Sequence, residues 1–255
     1  MMDCKIIACE TLRDEFESLT GGLEVEFCQG LLHDYPEKLR STLNERIAAT
    51  PGERTILLGY GRCSNGTAGL AAGRHRLVLP AVDDCIALLL GSRATYLREF
   101  SENPGTYYYT RGWIEYIDDP YQEYLQMVPK YGEEKATRIA HLILEHYTRV
   151  ALVDTGTYPM EQYEPYVEKV ARFYGLPLHN LRGSMRLVEK LLRGPHDREF
   201  IVVEPGETLD ESRFWALDSE PPAQPTPPAG EADGSGASAP DPSASPCAGC
   251  GLAET

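Results

Sequence analysis

Short aliphatic runs alternate with amphipathic segments along the first half of the chain. Between two of these runs, residues 34–49 carry Leu39, Leu43 and Ile47 at a spacing of four, which puts them on one face of a predicted helix. Pro36 falls in its first turn, and Asp34 and Glu37 have the spacing of a capping box. The aliphatic runs predict strands at 4–9, 23–28, 54–61 and 75–80.

The alternation continues through the second half. Helices are predicted at 83–100, 133–149, 159–175 and 184–194, and strands at 150–154, 176–181 and 198–206. Aliphatic strands separated by longer amphipathic helices are typical of a parallel sheet whose two faces are both covered. The predicted fold class is therefore α/β, with a mostly parallel, Rossmann-like sheet and helices on both faces.

The composition changes abruptly near residue 217. Residues 217–255 are rich in Pro, Ala, Gly and Ser and contain no Lys, Arg or aromatic residue. Such a segment buries too little apolar surface to offset its ordering entropy, so it is predicted to be a disordered tail. The predicted organisation is one α/β domain over 1–216 and a tail over 217–255.

Charge and hydropathy exclude several classes of protein. The 255-residue chain has a formal net charge of −15 and no clustered Lys or Arg, which argues against nucleic acid and anionic membranes as partners. No apolar run approaches the ~20 residues of a membrane span. The amino-terminal residues lack the basic start and apolar centre of a secretory signal. A cytoplasmic location is expected.

Three of the seven cysteines fall where predicted strands end. Ligands of an open parallel sheet bind beyond the carboxyl ends of its strands, and Cys9, Cys63 and Cys85 all lie there. Thiolates suit zinc and iron–sulfur clusters, and His33, which follows the second strand, is a candidate fourth ligand. Cys85 lies in the first turn of a predicted helix, whose dipole is expected to lower its pKa. The alternative is that single cysteines simply pack at strand ends.

Other polar residues accompany these thiols. Arg62 and Arg93 are candidates to bind a substrate anion. The glycine-rich stretch GYGRCSNG matches neither a dinucleotide-binding motif nor a P-loop, so a tight turn is the simpler interpretation. The remaining candidates are Glu10 and Asp84, for orientation or proton handling, and Gly61, Asn65 and Gly66, for cofactor binding.

Further motifs leave alternatives open or exclude a class of enzyme. Tyr107–Tyr109 and Trp113 either line a site for a flat ligand or form a β-segment that seals the core. Cys247 and Cys250 have the CxxC spacing of metal or redox sites, within the predicted tail. His141 and His146 are five residues apart and do not form a zinc-protease motif. No P-loop or Ser-His-Asp arrangement supports a kinase or hydrolase.

The chain resembles an uncharacterised domain-of-unknown-function family of anaerobic bacteria and methanogens, often encoded near corrinoid-dependent methyltransferase systems. The resemblance rests on the stretches IACE, GLLHDYPEKL, ILLGYGRCSNGTAGL, DCIALLLGSRATYL and NPGTYYYTRGWIE. The positions typical of the family are Cys9, His33, Cys63, Asn65, Asp84, Cys85, Gly91 and Ser92. One departure is that Asp83 stands where the family pattern usually has His.

The resemblance implies a role in corrinoid or one-carbon metabolism, with a corrinoid protein or a methyltransferase as partner. Together with the thiols, it predicts a metal-centre protein, iron–sulfur or zinc, that performs or assists methyl transfer. Two alternatives remain. One is a metal-free module that binds a corrinoid, a nucleotide or a partner protein at the same edge of the sheet. The other is a thiol redox protein in which Cys63 and Cys85 form a reversible disulfide.

Overall fold

A computed structural model describes residues 4–21, 23 and 25–215, and in this part of the chain strands and helices alternate. The strands are β1 (Cys4–Cys9), β2 (Val25–Cys28), β3 (Thr55–Gly59), β4 (Arg76–Pro80), β5 (Thr106–Tyr109), β6 (Arg149–Asp154), β7 (Leu178–Arg182) and β8 (Phe200–Val203). The helices are α1 (Arg13–Thr20), α2 (Pro36–Ala49), α3 (Cys85–Leu89), α4 (Arg93–Glu102), α5 (Arg111–Tyr116), α6 (Pro120–Tyr131), α7 (Glu133–Ile143), α8 (Met160–Tyr174), α9 (Arg186–Arg193) and α10 (Ser212–Trp215). Two 3₁₀ turns, Glu10–Leu12 and Gly30–Asp34, follow β1 and β2.

The first sheet has the strand order β2-β1-β3-β4-β8, and only β8 runs antiparallel to its neighbour. Its strands are buried on both faces. Ile6, Leu57 and Val78 belong to the core on one face, whereas Ile7 and Leu58 belong to the core on the other. Since successive side chains of a strand point to opposite faces, aliphatic runs without polar interruptions fit a sheet covered twice.

Helices cover each face of this sheet. On one face α2 buries Leu39, Leu43 and Ile47, as the sequence periodicity predicts. On the other face the core includes Phe16 of α1 and Leu187 of α9. Fully burying a side chain of this size stabilises the fold by about 1.5–3 kcal/mol. The predicted α/β class is confirmed.

A second, parallel sheet has the order β5-β6-β7. Tyr107 to Tyr109 lie in β5, and Tyr109 is fully buried among α6, α7 and α8 side chains. This favours the interpretation of the tyrosine run as a β-segment that seals a core. Val153 of β6 joins the core of the first sheet, so the apolar interior continues from one sheet to the other.

The structure differs from the predicted elements in several places. The predicted helix 83–100 is two helices, α3 and α4, separated by Gly91 at a φ of +79°. A Cβ at Gly91 would lie 2.6 Å from the Ser184 side chain, so this close approach requires glycine. Helices α5, α6 and α10 were not predicted, and the predicted helix over 133–149 is shorter in the structure, where α7 ends at Ile143.

Some predictions concern residues outside the described part. The boundary at 216 and 217, the predicted disorder of 217–255 and the CxxC pair Cys247 and Cys250 all lie there. Within residues 4–21, 23 and 25–215, no helix is both long and apolar enough to cross a membrane.

Candidate functional site: a thiol-lined cavity

A cavity of about 30 Å³ lies where the parallel strands of the first sheet end. The four predicted metal ligands, Cys9, Cys63, Cys85 and His33, all line it. Its remaining walls are Thr11, Gln29, Gly30, Leu32, Leu39, Gly59, Tyr60 and Trp113. The strand register explains the convergence: Cys9 pairs with Cys28 and Ala8 with Gly59, so β1, β2 and β3 end at one edge.

Cys63 opens a strained turn. Cys63, Ser64 and Asn65 have φ values of +47°, +52° and +65°, a left-handed conformation that costs an L-residue roughly 1–2 kcal/mol. The turn is closed by the Gly66 N–H, which donates to the Cys63 carbonyl at 2.8 Å. The Asn65 side chain donates to Glu211, and Arg40 donates to the Asn65 carbonyl. Strain of this kind often accompanies functional sites.

The loop that carries Cys85 is joined to this turn by backbone hydrogen bonds. The Arg62 N–H donates to the Val82 carbonyl at 2.8 Å, and the Cys63 N–H donates to the Asp83 carbonyl at 3.0 Å. A Cβ at Gly61 would lie 2.8 Å from the Val82 carbonyl oxygen. Gly61 therefore allows the two loops to approach closely and brings the two cysteines to the same cavity.

Burial dominates the acid–base properties of the three thiols. It raises the pKa of Cys63 to about 12, that of Cys85 well above its ordinary value, and that of Cys9 as well. The prediction that the helix dipole lowers the Cys85 pKa is wrong, because α3 has only five residues and desolvation outweighs its dipole. Without a nearby cation, these thiols are neutral at pH 7.

His33 lies in the 3₁₀ turn after β2, with its ring stacked on Trp113 at a centroid distance of 5.0 Å. Its Nε2 lies 2.7 Å from an Asp34 carboxylate oxygen, and its buried Nδ1 has no hydrogen-bond partner. Asp34 does not cap α2, which has Tyr35 at its N-cap and no side-chain cap. Trp113 is held in turn, because its Nε1–H donates to the Tyr107 hydroxyl at 3.3 Å.

The predicted carboxylates support the loops around the cavity. One Asp84 oxygen caps α3 by accepting from the N–H groups of Ile86 and Ala87, and the other accepts from the Tyr96 hydroxyl at 3.3 Å. Burial raises the Asp84 pKa. Glu10 accepts from the Gly30 N–H at 2.8 Å. Both acids therefore orient the segments that bear the candidate ligands.

Asp83 brings the two predicted anion-binding arginines together. Arg62 Nη2 lies 3.3 Å from one of its carboxylate oxygens, and Arg93 Nε lies 3.1 Å from the other. The predicted cofactor-binding residues Asn65, Gly61 and Gly66 lie in the loops described above but are not among the residues that line the cavity.

Thr11 is a cavity residue that sequence reasoning missed, whereas Trp113, which also lines the cavity, was one of the aromatic residues proposed as a possible wall of a site. Thr11 follows Cys9 by two residues, and its hydroxyl donates to Cys9 Sγ at 3.2 Å. A hydroxyl so close to a strand-end cysteine is a weak signal, and nothing in the local sequence places Trp113 against His33. In the described residues, no group of three or more His, Cys, Asp or Glu side chains is already placed to hold a metal ion.

Residues 27–192 match the family described as "Protein of unknown function (DUF1638)". The chain belongs to this family. The match to DUF1638 covers more than half of the chain and includes Cys63, Cys85 and His33. No curated protein and no solved structure matches the chain. The cytoplasmic location and the exclusion of nucleic-acid partners stay predictions.

Proposed function

We propose that this DUF1638 protein binds a metal ion through Cys9, Cys63 and Cys85, with His33 Nδ1 as the fourth ligand. The observation that carries the proposal is the surroundings of the two nitrogens of the His33 ring. Its Nε2 lies 2.7 Å from an Asp34 carboxylate oxygen, while its other nitrogen is buried, has no partner and belongs to the same cavity wall as the three thiols. Histidines that bind metals usually place their second ring nitrogen against a carboxylate or carbonyl.

The chemistry of the donors fits a soft cation. The three thiols line one cavity whose wall contains no Lys or Arg side chain. A bound cation would offset the desolvation of the thiolates, and the three protons would pass to solvent. Since the ligands are not already placed around one point, binding involves rearrangement of side chains about the cavity.

The volume of the cavity favours a single ion. About 30 Å³ holds roughly two water-sized groups. A mononuclear zinc-type ion fits this space with modest movement, whereas an iron–sulfur cluster requires the walls to separate further. Corrinoids and nucleotides occupy pockets of about 300–1,000 Å³, so they fit only outside this cavity. The raised thiol pKa values also disfavour a redox cycle of Cys63 and Cys85, because thiolate is the reactive form.

The wider role rests on the resemblance stated above. A zinc-type ion bound by thiolates supplies Lewis acidity and keeps sulfur ligands ionised. Arg62 and Arg93, held on Asp83 beside the cavity, would bind the anionic part of a substrate, and Asp84 and Glu10 would keep the ligand loops in place. On this proposal the protein performs or assists methyl transfer, with a corrinoid protein or a methyltransferase as its partner.

The test is metal analysis of protein purified without oxygen. We expect about one equivalent of metal in the wild type. Cys63→Ser should lose it, whereas Cys4→Ser should keep it, because Cys4 lies at the opposite end of β1 from Cys9. An ultraviolet–visible spectrum separates a coloured iron–sulfur cluster from colourless zinc. Full metal content in Cys63→Ser would overturn the proposal, and cobalamin binding by metal-free protein would favour the alternative of a metal-free module.

A further inference from the structure

Thr11 is a buried polar residue whose hydroxyl is directed at one of the three thiols. Its side chain is 3% exposed, lines the cavity and donates to Cys9 Sγ at 3.2 Å. The side chain of Thr11 thus directs one donor at this sulfur atom.

The position of Thr11 is fixed from two sides. A Cβ at Gly112, in the first turn of α5, would lie 2.0 Å from the Thr11 carbonyl oxygen. A Cβ at Gly30, at the start of the second 3₁₀ turn, would lie 3.0 Å from the Thr11 methyl group. The two glycines let the backbone of two neighbouring elements close on Thr11. Its hydroxyl therefore has little freedom to turn away from Cys9.

The other two cysteines are held differently. Cys63 and the segment just before Cys85 lie in two loops whose backbones are hydrogen-bonded to each other. The Cys63 N–H donates to the Asp83 carbonyl, which fixes the two loops relative to each other. Cys9 instead ends a strand, and its thiol accepts a hydrogen bond from the Thr11 hydroxyl.

From these contacts we infer that Thr11 is a positioning residue of the metal site, which holds Cys9 Sγ toward the cavity through its hydroxyl. The inference rests on the proposed function as far as the metal is concerned. The hydrogen bond itself exists in the metal-free protein. Groups around metal ligands typically change metal affinity by 10–100-fold when removed.

The decisive comparison is Thr11→Val, which keeps the shape and removes the hydroxyl, against Thr11→Ser, which keeps the hydroxyl. The probes are Co²⁺ and ¹¹³Cd²⁺ alone. We expect Thr11→Val to bind Co²⁺ about tenfold more weakly, with a weaker thiolate-to-cobalt band and a ¹¹³Cd resonance shifted toward fewer sulfur ligands. Thr11→Ser should show the thiolate-to-cobalt band and the ¹¹³Cd resonance of the wild type. A purely structural role would lower stability without changing the number of sulfur ligands.

A second measurement needs no metal. The S–H stretching band of Cys9, assigned by difference from Cys9→Ser, should move in Thr11→Val and stay in place in Thr11→Ser. If Thr11→Val fails to fold, Thr11→Ala removes the hydroxyl with less volume and supports the same comparison. An unchanged S–H band would overturn the inference. A shifted band in a protein whose wild type shows no thiolate-to-cobalt band would instead refute the metal site and leave the positioning contact intact.

Discussion

Glu15 is a carboxylic acid buried between the two sheets. It is 2% exposed, and one of its oxygens accepts from the Thr155 and Thr157 hydroxyls at 2.8 and 3.2 Å. Burial raises its pKa above the ordinary value of a glutamate. A group whose pKa is raised in the folded state stabilises the fold fully below its unfolded pKa, and that contribution is lost as pH rises through the folded pKa.

Glu15→Gln should therefore change how stability depends on pH. Its amide oxygen can accept from the same threonines without a charge, so the variant should gain stability relative to wild type from about pH 4 upward. The difference cannot rise faster than about 1.4 kcal/mol per pH unit for one proton. Urea unfolding midpoints between acidic and neutral pH measure it. Glu17→Gln, at an exposed position of the same helix, should show the same dependence of stability on pH as the wild type. If the stability of Glu15→Gln also followed pH in parallel with the wild type, the raised pKa assigned to Glu15 would be contradicted.

Ser64 occupies the centre of the strained turn next to Cys63, and its side chain is exposed. Ser64→Gly should remove a conformational cost of roughly 1–2 kcal/mol, offset in part by about 0.5–1 kcal/mol of glycine entropy. We expect Ser64→Gly to be neutral or up to about 1.5 kcal/mol stabilising. Ser64→Val should be destabilising by about 1 kcal/mol, because a β-branched residue is strained at positive φ. Chemical denaturation measures whether each variant is more or less stable than the wild type.

The control for Ser64 is the same substitution in a helix. Ser101→Gly, at an exposed position of α4, should destabilise by about 0.5 kcal/mol because glycine is the poorer helix former. If both serine-to-glycine variants lost stability equally, the turn at Cys63 would carry no strain.

At the level of elements, α5 connects the second sheet to the cavity. It follows β5 directly, its N-cap Thr110 accepts from the Trp113 N–H at 3.1 Å, and its first turn packs on the 3₁₀ turn that contains Thr11. Trp113 in turn stacks on His33. A small displacement of this short helix would thus reach both the Cys9 and the His33 sides of the cavity.

Gly112→Ala should cause such a displacement. A methyl group 2.0 Å from the Thr11 carbonyl cannot be accommodated without backbone movement, and overpacking of this kind costs about 1–3 kcal/mol. The measurement is the urea midpoint together with Trp113 emission, in a Trp215→Phe background that leaves a single tryptophan. Ser101→Ala, on the exposed side of α4, should stay within about 0.5 kcal/mol of wild type. A Gly112→Ala variant with wild-type stability and emission would show that the contact is loose.

At the scale of the whole molecule, the sequence predicted those features of the fold that depend on residues close to one another in the chain. The periodicity of Leu39, Leu43 and Ile47 identifies the buried face of α2. The ends of the strands could be located in the sequence, and this was enough to predict that Cys9 and Cys63 lie at the same edge of the sheet. The division into two sheets depends on which distant strands pair, which periodicity does not encode. The Cys85 pKa and the contact of Trp113 with His33 depend on packing from elements far along the chain, so they appear only in the structure.

The two sheets should unfold together, because several contacts join them. Val153 of the second sheet lies in the core of the first, Glu15 of α1 binds the loop after β6, and the Ser184 N–H donates to the Leu89 carbonyl at 2.8 Å. In the Trp215→Phe background, Trp113 emission reports on α5, while far-ultraviolet circular dichroism reports on both sheets. We expect the two urea transitions to coincide, as they do for a single cooperative unit. A Trp113 transition at lower urea would mean that the second sheet melts first. In that case the Trp113 wall of the cavity, on which His33 stacks, would be lost while the first sheet still held His33 and the three cysteines.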